Sequence, residues 1–472
     1  MIVTGTLKKF IRKFPNGSAL YEIKPCDGSI GAYRIMGAPP CIPIGFPISV
    51  EGEMRDGLFF ASGEPKINDP ALMIKFLSSG KIACGSEKLI SALVKAVPNC
   101  DIFEFVKNDI PDIKLKGFST DSVKNALIKT RDLKKGWDFL KEAEKQGLSY
   151  KAAYSIWNKY GPSSYFKTFT CTYDLCKDGI IDFATADRIA LKCGISDISS
   201  QRLECAVTEA LIRAASAGSS FLYLKEFKNK ISFCQCSDED GEYGVPLFLI
   251  FRSIMSLGSK DRIKIVESPE GTKVYLRRYY EAERLAAHNI SRIDNANISY
   301  GLDDALIDDI MSEIGFAYSD EQYDALSSVS TSGIKVITGG PGTGKTTVVA
   351  GMVKYLAAKK RSFALCAPTG RAAKRLSEVT GYPASTIHRL LKLQPFASGD
   401  SRLSGIHLDE DVIIVDEMSM VGIEVFAALL SSIKTGSTVI LIGDTDQLSS
   451  VDTGKVLSDA IRYKKEMETK NV

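Results

Sequence analysis

The sequence lacks the features that mark membrane, secreted and zinc-binding proteins. It has no apolar run of 18 residues and no secretory signal pattern at its start, so we expect a cytoplasmic protein with no membrane role. Histidine is scarce, with only 3 residues in the chain. The 11 cysteines form no C-x-x-C pair, which argues against a zinc site and predicts reduced thiols, most of them in protein cores.

The sequence also lacks a strong net charge. Lys and Arg number 60 against 57 Asp and Glu, which gives a net charge of +3. A charge this small creates no overall field that attracts nucleic acid, so any basic surface must be local. The chain has no internal repeat and no low-complexity linker. Its 472 residues suggest about three domains of roughly 150 residues each.

Two kinds of hydrophobic pattern divide the N-terminal half. Residues 1–65 contain short strand candidates between Pro and Gly turns, which predicts a small OB-like β-barrel. Residues 66–230 have helical apolar spacing, and the stretches 77–85 and 179–190 resemble helix-hairpin-helix units. Such units present backbone N–H groups to one phosphate and read no base sequence. Ordinary helix packing remains the alternative for both stretches.

The rest of the chain predicts two further domains. Residues 231–300 indicate a small α+β module, in which an apolar helix at 245–256 precedes strands at 262–266 and 273–276. This order suits a winged-helix-like fold. Residues 305–472 alternate strands with helices, which is typical of an α/β domain with a parallel sheet. We therefore predict a multidomain protein.

One stretch has the pattern of a phosphate-binding P-loop. An apolar strand at 334–338, the loop GGPGTGKT and a helix at 346–357 follow one another. The loop N–H groups and the helix N-terminus can bind phosphate oxygens. Lys345 can reach the β- and γ-phosphates of ATP, and the Thr346 hydroxyl can bind Mg²⁺. The predicted nucleotide-binding residues here are Gly339, Gly340, Pro341, Gly342, Thr343, Gly344, Lys345, Thr346 and Thr347.

Acidic and amide residues follow two later strands. Asp416 and Glu417 come directly after the strand 412–415, where Asp416 can hold Mg²⁺ and Glu417 can orient or deprotonate the attacking water. Gln447 follows a further strand and can contact the γ-phosphate or the water beside it. A surface cap and an ordinary strand exit are the respective alternatives. The predicted catalytic residues are Lys345, Asp416, Glu417 and Gln447.

Weaker patterns add one nucleotide contact and a nucleic-acid surface. Gln322 has the donor and acceptor that an adenine edge needs, although it also fits a helix capping box. Thr369, Gly370 and Arg371 after one strand, and His388 in a short helical stretch, can hold nucleic-acid phosphates without reading sequence. An ordinary helix start and a packed helix are the alternatives for these two stretches.

Five motifs occur in order, namely GGPGTGKTT, APTGRAA, TIHRLL, VDEMSM and GDTDQLSSV. Together they resemble the superfamily 1 DNA helicases of the RecD-like branch, whose longer members have a small barrel and helix-hairpin-helix modules before a P-loop NTPase motor of RecA-like fold. The resemblance implies ATP-driven 5′-to-3′ translocation on single-stranded DNA and unwinding of duplex junctions, with Mg²⁺ as cofactor. It implies that Gln322 contacts adenine, that Gln447 couples γ-phosphate to DNA, and that Thr369, Arg371 and His388 face DNA.

The sequence departs from the family pattern at three places. The hairpin loop reads Ile180-Ile-Asp-Phe183 where the family has a GIGF-like loop, and Gly218-Ser219 replaces a Gly-His pair. The chain stops at Val472, about 25 residues after Gln447, so we expect a single RecA-like lobe without the arginine finger of the second motor domain. A second polypeptide carrying that lobe is one expected partner. The alternatives are a split or truncated motor that binds ATP and DNA without unwinding, and a different P-loop ATPase switch.

Overall fold

Two compact units, Met1–Cys205 and Ala206–Val472, make up the chain. The computed structural model describes residues 1–14, 18–25, 31–37, 47–62, 73–74, 77–78, 84–97, 102–106, 109–234, 244–314, 318–340, 342–393, 406–444 and 452–470. In this described part, no helix is both long enough and apolar enough to span a bilayer.

The first unit begins with a closed five-stranded β-barrel, as the turn spacing predicted. Its strands run in the order β1-β2-β3-β5-β4, and β4 pairs back onto β1 to close the barrel. Alternate residues point inward, so that Tyr21, Val50 and Phe59 are almost fully buried in its core. The five strands are β1 (Ile2–Lys13), β2 (Ala19–Pro25), β3 (Tyr33–Gly37), β4 (Pro47–Arg55) and β5 (Leu58–Ala61).

Helices form the rest of the first unit. Four of these helices begin at a capping residue whose side chain accepts a hydrogen bond from the backbone N–H three residues later. That N–H is one of the donors that the helix itself leaves unpaired. These caps are Ser86, Ser119, Ser149 and Asp182. The helices are α1 (Glu87–Ala96), α2 (Ile102–Phe105), α3 (Thr120–Lys145), α4 (Tyr150–Tyr160), α5 (Ser164–Phe169), α6 (Thr172–Lys177), α7 (Phe183–Lys192) and α8 (Ser200–Ser216), which continues into the second unit.

A buried ion pair fastens the α6–α7 hairpin to α8. The guanidinium of Arg202 donates to both carboxylate oxygens of Asp187, at 2.6 and 2.8 Å, and the Tyr173 hydroxyl donates to the same carboxylate at 2.7 Å. Arg202 is only 2 % exposed. The hairpin corresponds to the predicted stretch 179–190. The other predicted hairpin, 77–85, lies partly outside the described residues.

A small α+β module opens the second unit. The predicted helix and two strands are confirmed at α10 (Leu247–Ser259), β7 (Ile263–Val266) and β8 (Lys273–Leu276). A third short strand completes an antiparallel sheet of order β6-β8-β7. The other elements are β6 (Phe221–Tyr223), α9 (Phe227–Lys230) and α11 (Arg277–Asp294).

A five-stranded parallel sheet of order β11-β10-β12-β13-β9 forms the core of the second unit. Both faces are covered by helices, so that β12 and β13 are buried along their whole length. All five strands therefore bring their carboxyl ends to one edge. The elements are α12 (Asp304–Ile314), α13 (Asp320–Ser327), β9 (Gly333–Thr338), α14 (Lys345–Ala358), β10 (Phe363–Ala367), α15 (Gly370–Thr380), β11 (Ala384–Thr386), α16 (Ile387–Leu390), β12 (Val412–Val415), α17 (Ile423–Ser432), β13 (Thr438–Gly443) and α18 (Val456–Lys470).

Candidate nucleotide-binding site and nucleic-acid face

The glycine loop connects β9 to α14 in the predicted strand–loop–helix order. Gly342 and Gly344 have φ angles of 81° and 80°, a left-handed conformation that side chains other than glycine disfavour. The Lys345 ammonium donates to the carbonyl oxygen of Gly340 at 2.8 Å and also to that of Gly339. Lys345 is therefore folded back over its own loop, at the place where the pattern predicts phosphate. Pro341 lies outside the described residues.

Gln322 is tied directly to the glycine loop. Its side-chain amide donates to the Thr343 carbonyl at 3.0 Å, while its amide oxygen accepts the Ser319 N–H at 3.1 Å. The second bond belongs to the capping box that the sequence allowed. Gln322 thus completes the cap of α13 and also holds the glycine loop. Its contact with adenine stays a prediction.

The first turn of α14 holds the two predicted threonines. Thr346 and Thr347 are half-buried directly after Lys345. The Thr347 N–H donates to Gly344 at 2.9 Å, and its carbonyl accepts the Tyr318 hydroxyl at 3.2 Å. These two hydrogen bonds fix the backbone of the first turn. Thr346 belongs to this turn, at the N-terminus of α14.

Asp416 and Glu417 lie at the end of β12, on the same sheet edge. The Asp416 N–H donates to Cys366 at the end of β10 at 3.0 Å, and the Glu417 N–H donates to the Asp416 carboxylate at 2.9 Å. Burial raises the pKa of Asp416. Burial and then the Asp416 charge raise the pKa of Glu417. Lys345 acts in the opposite direction on the pKa of both carboxyls, which indicates that the P-loop lysine and the acidic pair share one site.

Two charged residues of this site had no role in the sequence interpretation. Arg375 lies on α15, and its charge lowers the pKa of both Asp416 and Glu417. Asp444 is buried at the end of β13, and its charge raises the pKa of Glu417. Both follow a predicted motif closely: Arg375 is one helical turn beyond Arg371, and Asp444 directly follows a buried strand. That spacing is the signal from which they could have been found.

The structure brings two of the predicted nucleic-acid residues together. Thr369 caps α15 by accepting the Ala372 N–H at 3.2 Å, and His388 is exposed on α16. Both line one cavity of about 260 Å³, which we call the Thr369 cavity. Its described lining residues are Pro368, Thr369, His388, Met420, Val421, Gly422, Val425 and Asp452.

The remaining predicted residues have different outcomes. Gly370 and Arg371 are exposed on the first turn of α15 and are not among the described residues that line the Thr369 cavity. Gln447 falls in the segment 445–451, outside the described residues. Within the described part of the chain, no group of three His, Cys, Asp or Glu side chains forms a metal-binding cluster.

Comparisons with protein families identify two parts of the chain. Residues 133–221 match the helix-hairpin-helix domain of the ATP-dependent RecD2 DNA helicases. Residues 317–471 match an AAA domain. The first match settles the alternative left open for the stretch 179–190, which belongs to a helix-hairpin-helix domain and not to an ordinary helical bundle.

The most informative relatives are bacterial and phage helicase proteins. The RecD subunit of the RecBCD enzyme from Mycolicibacterium smegmatis is 37% identical over 40% of this chain and 38% of its own length. The ATP-dependent RecD2 DNA helicase of Deinococcus radiodurans is 43% identical over 29% of this chain and 19% of its own length. The match to the ATP-dependent DNA helicase dda of phage T4 is 38% identical over 25% of this chain and 28% of that protein.

The matches therefore span well under half the length of these relatives. The solved structure of Bacteroides sp Pif1 in complex with ADP-AlF4 covers 31% of this chain and 36% of its own at 22% identity, with a TM-score of 0.21. The chain is thus similar to RecD and RecD2 helicases in two parts, a RecD2-type helix-hairpin-helix domain at 133–221 and an AAA domain at 317–471.

Proposed function

We propose that the chain acts as an ATP-dependent DNA helicase of the RecD-like type. In this proposal it hydrolyses ATP, moves 5′ to 3′ along single-stranded DNA and unwinds duplex at junctions. The observation that supports it most is a shared edge of the sheet. Lys345, Asp416 and Thr369 follow three different parallel strands, and all three lie at the edge where these strands have their carboxyl ends. Ligands of open parallel sheets bind at that edge. A change at the phosphates can therefore reach the DNA contacts through short strand-to-helix connections.

The residues at this edge suit ATP with a divalent cation. The Thr346 hydroxyl and the Asp416 carboxylate would hold Mg²⁺, since this hard cation prefers oxygen ligands and takes few of them from the protein. Asp416 is half-buried with a raised pKa, and a cation would favour its ionised form. When bound, Mg²⁺ neutralises charge on the phosphate oxygens.

The protein groups would then act on phosphate and water. Lys345 exchanges the carbonyls of Gly339 and Gly340 for phosphate oxygens, which are stronger acceptors because they are charged. Glu417 orients the attacking water and accepts its proton, a role that its raised pKa supports. Gln322 contacts adenine, and Gln447 senses the γ-phosphate. Gly370 and Arg371 add exposed contacts to the DNA backbone.

The domain assignments belong to the same proposal. We assign an OB-like barrel to residues 1–65, the helix-hairpin-helix region to 66–230, a winged-helix-like module to 231–300 and the first RecA-like lobe to 305–472. The closed barrel and the helix–hairpin order of α10, β7 and β8 support the first and third assignments. The AAA match supports the last.

A second motor lobe, in this or another polypeptide, is the proposed partner of the sheet. Within the described residues β9 pairs only with β13, and a groove of about 580 Å³ runs along β9 between α13 and α18. Lys335, Val336 and Ile461 are among its lining residues. A strand edge beside an open groove can accept a further strand.

Strand displacement on tailed duplexes tests the proposal. With ATP and Mg²⁺, a duplex with a 5′ single-stranded tail should be separated, whereas a blunt duplex and one with a 3′ tail should not. Lys345→Ala should separate none of them. Hydrolysis of ATP without displacement of any substrate would overturn the unwinding part, and displacement of the 3′-tailed duplex alone would overturn the polarity.

A further inference from the structure

We propose that the single-stranded DNA path extends beyond the Thr369 cavity into a second cavity, where Arg278 holds a backbone phosphate and the cavity takes one unstacked base. This inference rests on the proposed DNA binding and adds to it a site on α11 and α8, outside the motifs. We call the second space the Arg278 cavity. It has a volume of about 280 Å³.

The two cavities adjoin each other. They share four lining residues, namely His388, Gly422, Val425 and Asp452. A strand that contacts Thr369 and His388 in the first cavity therefore meets the second cavity next. This continuity gives the path a direction across the protein surface, from the cap of α15 past α16 towards the first turn of α11.

Arg278 is held in place before any ligand arrives. Its guanidinium lies 4.6 Å from the centre of the Tyr279 ring and donates to the Tyr279 hydroxyl at 2.8 Å. Tyr279 is 6 % exposed, so it cannot move freely, whereas Arg278 itself is exposed. A pre-positioned guanidinium loses little entropy when it binds a phosphate.

Its neighbour Arg277 has a different environment. Arg277 forms an ion pair with Asp261 at 2.5 Å and does not belong to the described lining of either cavity. Arg278 forms no ion pair within the described part of the chain. Phosphate binding needs a guanidinium that is not already paired with a carboxylate. Within the described residues, Arg278 meets this condition and its neighbour Arg277 does not.

The walls of the Arg278 cavity suit a base better than a phosphate. Glu424 and Asp452 contribute carboxylates to the lining, and these repel a phosphate but accept hydrogen bonds from the amino groups of bases. Ile212, Ala215 and Ile423 add apolar surface on which a base can pack. The volume lies just below the ~300 Å³ at which pockets for drug-sized ligands begin, which fits one base.

Binding of a fluorescein-labelled single strand of about 15 nucleotides, measured by anisotropy across a salt series, tests this site. Arg278→Ala and Arg278→Glu should weaken affinity by roughly 3- to 10-fold or more, and Arg278→Ala should reduce the slope of log K against log salt by about 0.7, the value for one phosphate contact. Arg277→Ala is the matched control, and its affinity for the single strand should stay within about twofold of the wild-type affinity, because it removes no proposed phosphate contact.

A cavity-filling variant tests the base separately. Ser216 is exposed at the rim of the Arg278 cavity, so Ser216→Leu should leave thermal stability intact. It should weaken DNA affinity without changing the salt slope, because it removes no charge. Equal affinities of Arg278→Ala and Arg277→Ala for DNA would overturn the inference while leaving the proposed function in place. Absence of DNA binding by the wild type would instead overturn both.

Discussion

Glu417 combines two features that cost stability and that are expected at a catalytic position. It is a non-glycine residue with a φ of 54°, a conformation that costs about 1–3 kcal/mol. Its carboxyl is also partly buried beside Asp416, which raises its pKa. Neither feature helps β12 to pack, since the strand ends at Val415. Both are explained if Glu417 must face the site as a base.

Glu417→Gln should therefore separate ATP binding from ATP hydrolysis. The amide keeps the shape of the side chain but cannot accept a proton, so turnover should fall by roughly 10²- to 10⁴-fold while nucleotide affinity changes little. Steady-state hydrolysis and binding of a fluorescent ATP analogue measure the two quantities. Glu378→Gln, on the exposed face of α15, is the control and should hydrolyse ATP like the wild type. Equal turnover of Glu417→Gln and the wild type would exclude the assigned base.

The raised pKa of Glu417 also predicts that Glu417→Gln is more stable than the wild type, by an amount that depends on pH. A carboxyl whose pKa is higher in the folded protein keeps a proton that the unfolded chain has lost, so stability falls as pH rises above the ordinary carboxyl pKa of about 4.3. Glutamine removes this loss. The melting temperature of Glu417→Gln should thus exceed that of the wild type by more at about pH 8 than at about pH 5. An identical difference at both pH values would contradict the raised pKa.

At the scale of single residues, the sequence predicted a site residue only where the elements that position it are adjacent in the chain. Lys345 and Asp416 could be predicted because a strand, a loop and a helix at fixed spacing place them. Arg375 and Asp444 could have been found from their spacing to a predicted motif or strand, whereas the proposed role of Arg278 depends on which helix turns meet after folding. No local pattern distinguishes Arg278 from Arg277; only the partners Tyr279 and Asp261 do.

At the scale of elements, one buried ion pair joins the α6–α7 hairpin to α8. The Asp187–Arg202 pair is bidentate and buried, and a third bond comes from Tyr173. Removing one partner leaves a buried charge without compensation. The ion pair thus fixes the hairpin of the helix-hairpin-helix domain against α8.

Asp187→Ala should consequently destabilise this domain by about 3–5 kcal/mol. Asp174→Ala is a matched control on α6, since Asp174 pairs with Lys167 and Lys177 near the surface and should contribute less than about 1 kcal/mol. Amide hydrogen exchange in α6 and α7 measures the effect where it arises. Similar exchange in the two variants would show that the buried pair does not hold the hairpin.

Elements with strong periodicity could be predicted from sequence, and short ones could not. Strand β9, helix α14 and the hairpin of β7 and β8 lie within one or two residues of the predicted bounds. Strands β6 and β11 have three residues each, too few to show a period, and their pairing depends on distant partners. The order of the parallel sheet likewise follows from packing and not from any one segment.

At the scale of the molecule, the chain joins a barrel, a RecD2-type helical domain and an AAA domain. The order of these parts could be predicted because each has its own hydrophobic period. With a net charge of only +3, the proposed DNA binding would depend on local groups, for which we propose Arg278 and Arg371. Salt dependence should therefore reflect a few contacts and not a broad basic surface.

The central claim is that ATP hydrolysis at Lys345 is coupled to DNA. Steady-state ATPase activity with and without single-stranded DNA tests it most directly, with Lys354→Ala as control, because Lys354 lies on the same helix but pairs with Glu313 at the surface. We predict stimulation of at least about tenfold by DNA, or ~1.4 kcal/mol of barrier, in the wild type and Lys354→Ala, and none in Lys345→Ala. Hydrolysis that depends on Lys345 but is indifferent to DNA would contradict the account.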